Sequence, residues 1–359
     1  MKGFFLAAAL VACLGLSTAA NAADLGGNCC ADLEERIAEL EATTARKGNR
    51  KVSLTVYGQV HAAILWHDID GIDSEVITQS GTSTSRFGFK GEAKIGANAK
   101  AGYVLEVGVN QEGTPWAPAD DLGLSVRHSA LWLEGAMGRV TLGHTSQATD
   151  TIDEISFGNT TVASKLLSLQ PFSNAYLGGL DLPFDGGRMS VARYDSPVVG
   201  GFIASAAWGG DDVWDAALRF AGEFSGFKVA AAVGYRDEMS ALFGVQTETI
   251  TAAGSVQHVT SGLFVSGMYG SVDFGGPDDL VGYHVQGGIE WPLIAGVGKT
   301  TAYGEWGRVE IGGDEADMFG AGVVQSIDAA AMDLYIAYRQ YDVLGEDVQT
   351  ATAGARIKF

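Results

Sequence analysis

Short runs in which apolar and polar residues alternate fill the chain from residue 52 to its end, and they constrain the fold more than any other feature. Such a period of two is typical of β-strands with one apolar face and one polar face. Beyond residue 22, no stretch reaches the roughly 18 consecutive apolar residues that a membrane-spanning helix needs. A chain of this kind can satisfy its backbone in a membrane only as a closed barrel. The final strand shows the pattern best, with Ala351, Ala353, Ala355, Ile357 and Phe359 on one face and Thr350, Thr352, Gly354, Arg356 and Lys358 on the other.

The number of alternating segments predicts the size of the barrel. The first runs from Val52, with Val56, Val60 and Ile64 on one face and Gln59 and His61 on the other. Four more segments precede residue 144, and eleven follow residue 187. The sum is about sixteen, an even number of the kind that bacterial single-chain barrels have. We therefore expect an all-β fold, a transmembrane antiparallel barrel over residues 52–359.

Composition agrees with a barrel and limits the partners. The 359 residues are 47% hydrophobic and only 18% charged, with 50 Gly and 7 Pro, as expected when an apolar outer face surrounds an inner face of small and uncharged polar residues. The formal net charge is -20. Because nucleic acids repel an acidic surface, we expect no nucleic-acid partner, and an acidic lumen would attract cations.

The first 51 residues differ from the rest of the chain. Lys2, an apolar run and Ala20-Asn21-Ala22 predict a signal peptide over residues 1–22. Apolar residues spaced by three and four, among many Glu, predict a short periplasmic coiled-coil-like helix, followed by a basic linker, over residues 23–51. The adjacent Cys29 and Cys30 leave open a bridge to another chain, whereas a metal site there lacks further ligands.

One long segment, about 144–187, breaks the alternation. Compact proteins rarely keep a loop of this length without a function, and we interpret it as a loop that folds into the barrel and narrows it. A mobile external loop is the alternative. Calcium is also conceivable, although the acid spacing fits no EF-hand loop. The acidic residues expected at the constriction are Asp150, Asp153, Glu154, Asp181 and Asp185.

Three segments resemble a known family. CCADLEERIAELEATTARKGNRKVSLTVYGQV resembles the mature start of alphaproteobacterial porins, while RHSALWLEGAMGRVTLGH and DGGRMSVARYDSP resemble the strands that flank the constriction loop of general porins. The terminal Phe359 is similar to the assembly signal of outer-membrane barrels. This resemblance implies a sixteen-stranded barrel in the bacterial outer membrane, usually a homotrimer, whose third extracellular loop folds inward.

The resemblance also implies that arginines on the facing wall oppose the acidic loop. Arg188 and Arg193 have opposite parity on one strand, so both can face the lumen only if the strand has a bulge. Leu131 and Leu133 share parity with Arg127, which leaves the facing of that strand open. The candidate basic residues of the wall are Arg86, Lys90, Arg127, Arg188, Arg193, Arg339 and Arg356.

These features predict a water-filled channel for ions and small hydrophilic solutes, with a preference for cations. We expect contact with outer-membrane lipid and lipopolysaccharide, no cofactor, no metal and no enzymatic activity. A barrel lipase is disfavoured because the six His are scattered and neither G-x-S-x-G nor H-E-x-x-H occurs. The alternative function is a structural anchor that links the membrane to the cell wall through the N-terminal helix.

Overall fold

The computed structural model describes residues 51–69, 72–78, 83–111, 122–163, 184–210, 212–239, 245–343 and 345–359. The predicted signal peptide, nearly all of the predicted N-terminal helix and linker, Cys29, Cys30 and Asp181 lie outside these residues. Within them, no helix has the length and apolar character required to cross a membrane.

The described residues form seventeen β-strands and three single-turn 3₁₀ helices, Ile152–Glu154, Thr160–Val162 and Asp328–Ala330. The strands are β1 Thr55–Ile69, β2 Ile72–Thr78, β3 Ser85–Lys94, β4 Lys100–Gln111, β5 Leu122–Gly135, β6 Gly138–Ser146, β7 Arg188–Asp195, β8 Phe202–Gly209, β9 Trp214–Phe224, β10 Phe227–Met239, β11 Gln246–His258, β12 Leu263–Asp273, β13 Leu280–Trp291, β14 Thr300–Ile311, β15 Asp314–Ile327, β16 Met332–Val343 and β17 Glu346–Lys358.

These strands form a closed antiparallel barrel of sixteen, as the sequence predicts. Both β2 and β3 pair with β1, through Ala63–Ile69 and Thr55–Gln59 respectively, so together they occupy one position in the wall. Every other strand pairs with its neighbours in the chain. The barrel closes where β1 runs beside β17, from Gln59 opposite Lys358 to Ile69 opposite Val348. Closure leaves no free sheet edge in the bilayer.

The two faces of β1 confirm the expected alternation. Gln59 and His61 are buried inside the barrel, whereas Val60 and Ile64 are more than half exposed on the outer face. Near the seam Gly58 exchanges backbone hydrogen bonds with Phe359, each 3.0 Å long. A Cβ at position 58 would lie 2.5 Å from the Phe359 ring and 2.6 Å from the carbonyl oxygen of Arg86. Only glycine therefore fits where the terminal aromatic closes the barrel.

The inner face departs from the expected polar character in one region. Toward the extracellular ends of β12 to β17, inward positions are apolar and almost fully buried, and Phe184 belongs to the same cluster. A Cβ at Gly270 would lie 2.4 Å from the Phe184 ring, so the glycine makes room for it. The alternation is reversed there, because the outward neighbours of these buried residues include Arg308, Glu310, Asp317 and Asp342. The residues of this inner apolar region are Val272, Leu280, Val309, Ala316, Met318, Tyr341, Val343 and Val348.

Candidate functional site

The segment between β6 and β7, residues 147–187, begins inside the barrel. Its first residues are held by arginines of the wall, which donate to loop carbonyl oxygens: Arg193 to Ser146 and Gln147, and Arg219 to Ala148 and Asp150, at 2.6 to 3.1 Å. Arg193 thereby binds the last carbonyl of β6 and the first of the loop, and Arg219 binds two carbonyls further along the loop. The loop start is fixed against β7 and β9.

A buried carboxylate completes this attachment. Asp215 of β9, which is 1% exposed, accepts hydrogen bonds from the backbone nitrogen and the hydroxyl of Thr149, at 2.6 and 2.8 Å. Asp185, at the other end of the loop, accepts from the backbone nitrogen of Thr151 at 2.6 Å. The beginning and the end of the loop are thus joined, and Arg236 of β10 donates to the carbonyl oxygen of Asp185.

Apolar contacts carry the loop across the inner wall. Ile152 is fully buried, and a Cβ at Gly234 of β10 would lie 2.6 Å from its terminal carbon. Gly158 lies close to Phe264 of β12 and Thr301 of β14, at 2.8 to 3.1 Å from a Cβ built on it. One glycine on the wall, Gly234, and one in the loop, Gly158, therefore let the loop and the wall approach each other closely.

The far part of the described loop is bound by hydroxyl and amide groups. Ser156 and Thr160 both donate to the side-chain oxygen of Gln286 on β13, at 3.0 and 2.8 Å. The amide of Asn159 donates to Asp333 of β16 at 2.8 Å, and Arg356 of β17 donates to the amide oxygen of Asn159 at 3.1 Å. Because these wall residues face inward, the described part of the loop lies inside the barrel, and the prediction of an inward-folded third loop is confirmed.

The inner side of β3 to β7, the open wall, holds partly exposed basic side chains. Between Glu106 and Val107 of β4 the partner on β5 jumps from His128 to Val126, so Arg127 is the extra residue of a β-bulge. The bulge reverses the parity, because Leu131 and Val126 both point outward while Arg127 points inward. Arg127 donates to Glu106 at 2.7 Å.

Three further cations lie on the open wall. Arg86 lies 3.7 Å from Glu106, and it interacts electrostatically with Arg188 and with Glu154 of the loop. Arg188 is the first residue of β7 and lies 3.6 Å from Asp150. The pairing of β6 with β7 is continuous, so Arg188 reaches the inside from a strand end without the bulge that we expected. The Lys90 ammonium lies 4.8 Å from the centre of the Tyr57 ring.

The structure separates the predicted basic residues into two groups. Side chains on the open wall remain partly exposed, 27% for Arg188 and 21% for Arg86. Arg339 and Arg356, on β16 and β17, are only 8% exposed. Arg339 donates to both carboxylate oxygens of Glu305, at 2.7 and 3.0 Å, and Arg356 is paired with Asp333. Arg193 belongs to the loop attachment described above.

The predicted acidic residues are also separated by burial. Asp150, Asp153 and Asp185 are at most 8% exposed. Glu154, at the end of the first 3₁₀ helix, is half-buried and lies within electrostatic range of Arg86. Among the described loop acids in the predicted set, Glu154 is therefore the one with a partly exposed side chain.

Sequence reasoning did not select several residues that build this site. Glu106, Asp215, Asn159, Asp333 and Glu305 all bind loop or arginine groups, yet each occupies an ordinary inward position of a strand or a turn. The Gly158-Asn159 pair is a turn signal that could have marked the tip of the loop. Nothing local distinguishes the others. Among the described residues, no three His, Cys, Asp or Glu side chains are arranged to hold a metal ion.

Comparison with known families decides the identity of the barrel. The sequence profile of the Gram-negative porins matches residues 7–345 of this chain. The chain belongs to this porin family. It is therefore an outer-membrane channel protein of a Gram-negative bacterium, and both the family and the fold are those of channels rather than enzymes. The porin is 30% identical over 167 residues to the major outer membrane protein P.IB of Neisseria sicca, a match that covers 43% of this chain and 41% of that relative.

Solved porins share the fold at low sequence identity. An anion-selective porin from Comamonas acidovorans is 16% identical, with a TM-score of 0.61 over 86% of this chain and all of that one. The trimer form of OmpT from Vibrio cholerae is 15% identical, with a TM-score of 0.61 over 86% and 99% of the two chains. OmpF of Salmonella typhi, in complex with daunomycin, is 14% identical, with a TM-score of 0.58 over 86% and 98%.

Proposed function

We propose that this porin lets ions and small hydrophilic solutes diffuse passively through an aqueous path between its inward loop and the open wall. One observation carries the proposal: beyond its start at Arg193, the described part of the loop binds the inner side of β9 to β17, while Arg86, Arg127 and Arg188 keep partly exposed side chains on β3 to β7. Water and solutes then pass between these cations and the loop, near Glu154.

Electrostatics explains how such a path would select solutes. Opposed charges across a narrow aqueous gap orient water and dipolar solutes, which raises the free energy of apolar solutes in the gap. With a Debye length of about 8 Å at physiological salt, fixed charges act on any ion that crosses a gap of similar width. Arg86, Arg127 and Glu154 are the residues we assign to this field.

We infer a preference for cations from the extracellular rim, despite the arginines of the open wall. The extracellular ends of β10 to β17 lie at the end of the barrel opposite Phe359. Acidic residues greatly outnumber basic ones there, and Arg236 and Arg308 are the described cations. A negative entrance raises the local concentration of cations before they reach the constriction. The acids of the rim are Asp237, Glu238, Glu248, Asp273, Asp278, Asp279, Glu310, Asp314, Glu315, Asp317, Asp342 and Asp347.

Further parts of the proposal rest on sequence and on resemblance. The homotrimer is supported by the OmpT relative in its trimer form, and the link to alphaproteobacterial porins by the opening motif from Cys29. Contact with membrane lipid and lipopolysaccharide follows from the exposed apolar outer face. Cleavage after residue 22 and a periplasmic helix with a basic linker over residues 23–51 complete it. The alternative function is a structural anchor that links the membrane to the cell wall through this helix. We assign the protein no enzymatic activity and no cofactor.

Planar-bilayer recordings of the purified porin test this proposal. We expect stepwise openings and, in a tenfold KCl gradient, a reversal potential whose sign reports cation preference. Membranes that remain electrically silent would refute the channel. A reversal potential of the opposite sign would refute the cation preference alone. It would mean that the arginines of the open wall control the ion selectivity.

A further inference from the structure

We propose that Asn159, Asp333 and Arg356 form a latch that positions the far part of the constriction loop and so keeps the width of the path constant. The inference rests on the proposed channel function and goes beyond it, because it assigns Arg356 to the position of the loop rather than to the field acting on solutes. Asn159 and Asp333 acquire a role that no sequence pattern indicated.

The latch is closed by reciprocal hydrogen bonds. The Asn159 amide nitrogen donates to Asp333 Oδ1 at 2.8 Å, and Arg356 donates to Asn159 Oδ1 at 3.1 Å. Arg356 also donates to Asp333 Oδ2 at 2.6 Å, which completes a ring of three side chains. Asp333 and Arg356 are each 7% exposed. Both of these side-chain bonds of Asn159 go to this buried pair, while Asp333 also accepts from the Ser326 hydroxyl at 2.9 Å, in a place with little water.

The same guanidinium connects the latch to the irregular part of the wall. Its third nitrogen donates to the hydroxyl of Ser83 at 2.7 Å, in the interval between β2 and β3. The carbonyl oxygen of Ser83 accepts from His61 Nδ1 at 2.8 Å, so that His61 Nε2 accepts from the Tyr335 hydroxyl at 2.8 Å. Arg356 thus bonds to the loop, to β16 and to the strand interruption at once, beside the seam where β1 meets β17.

The backbone conformation at position 159 restricts which residues can stand there. Asn159 has φ 57°, in the left-handed region, which Asn tolerates better than most residues. The 3₁₀ turn that follows it, Thr160–Val162, is closed by Val162 and Ala163 amides donating to the carbonyls of Asn159 and Thr160. Val162 is fully buried among wall residues. Release of Asn159 would therefore loosen this turn and let the loop move into or away from the aqueous path.

The substitution that tests the latch is Asn159→Gly. It removes both side-chain bonds, keeps a residue that accepts positive φ, and leaves the Arg356–Asp333 pair in the wall. The matched control is Thr151→Gly, which introduces glycine at another left-handed position of the same loop, φ 70°, where the side chain is exposed. In single-channel recordings we expect Asn159→Gly to raise open-channel current noise about twofold and to add sub-conductance levels. Thr151→Gly should resemble the wild type.

Hydrogen–deuterium exchange in detergent tests the latch without relying on conduction. Exchange at the Val162 and Ala163 amides should become about tenfold faster in Asn159→Gly and in Asp333→Asn, with little change in Thr151→Gly. Equal exchange and equal noise in Asn159→Gly and the control would overturn the proposal. If the wild-type porin proved silent in bilayers, the proposed function would fall, while the exchange experiment would still decide whether the latch holds the loop.

Discussion

The two inner walls of the barrel carry the same kinds of residues in different surroundings. On β16 and β17, Arg339 and Arg356 are almost fully buried, each against a carboxylate of its own. On the open wall, Arg86 and Arg127 share one carboxylate, Glu106, and both remain partly exposed. A buried arginine requires a full set of partners, whereas an arginine beside water does not. A position on the inward face of a strand therefore places a side chain inside the barrel, but it does not decide whether that side chain contacts water or protein.

The loop causes this difference. Its described part starts at Arg193 of β7 and lies on β9 to β17, where it excludes water from the residues beneath it. Inward positions there become a packed and hydrogen-bonded interior. Asp215 and Gln286, both at most 2% exposed, bind the loop instead of solute. Charge on the covered side is therefore structural, as is Arg193 of β7, which holds the loop start. In the proposed channel, Arg86, Arg127 and Arg188 of the open wall are the charges available to ions.

The largest effect should come from the apolar attachment of the loop. Ile152→Ala removes a fully buried side chain and should lower the free energy of unfolding by about 2–4 kcal/mol, because the wall cannot close around the cavity. The measurement is urea unfolding in lipid vesicles. Ile336→Ala, on the outer face where Ile336 is 48% exposed, is the control. An equal loss in both variants would contradict the packed contact between loop and wall.

Ion selectivity should respond to charges on the open wall. The double variant Arg86→Gln with Arg127→Gln should raise the cation-to-anion permeability ratio about three- to fourfold in 0.15 M salt. At this salt the Debye length is about 8 Å, so each arginine charge still acts on an ion at that distance. Reversal potentials in a salt gradient give the ratio. Glu305→Gln with Arg339→Gln removes a buried pair of no net charge, and it should leave the ratio unchanged. A shift of similar size in that variant would remove the distinction between the walls.

The smallest effect concerns the loop acids. Glu154→Gln should lower the cation-to-anion ratio about twofold, because this half-buried carboxylate lies near Arg86 and the aqueous path. Asp153→Asn, at a residue that is 2% exposed, should change the ratio less and chiefly affect stability. Reversal potentials of both variants, measured under the same conditions, show which substitution changes the cation-to-anion ratio more. A larger shift for Asp153→Asn would place the buried acid beside the path.

Much of the barrel could be predicted because strand alternation is a local property. The count of sixteen strands and the inward loop followed from residues that are close in sequence. Arg127 shows where this reasoning stops, since a single bulge on β5 reversed the parity that the sequence displays.

The candidate site was less accessible to sequence reasoning. The acids of the loop and the arginines of the wall could be selected by type, but their exposure depends on contacts between residues far apart in the chain. Asn159 and Arg356 are separated by 197 positions. Asp333 contacts both, although nothing around it in the sequence differs from other inward positions.

By itself, the sequence determined that this protein forms an antiparallel barrel with an apolar outer face, because a period of two and the absence of long apolar runs admit few other membrane structures. Only the tertiary structure decided which inward residues the described part of the loop covers and which stay partly exposed. Burial beneath the loop depends on which wall the loop binds, and that choice is made by hydrogen bonds and close packing between distant segments.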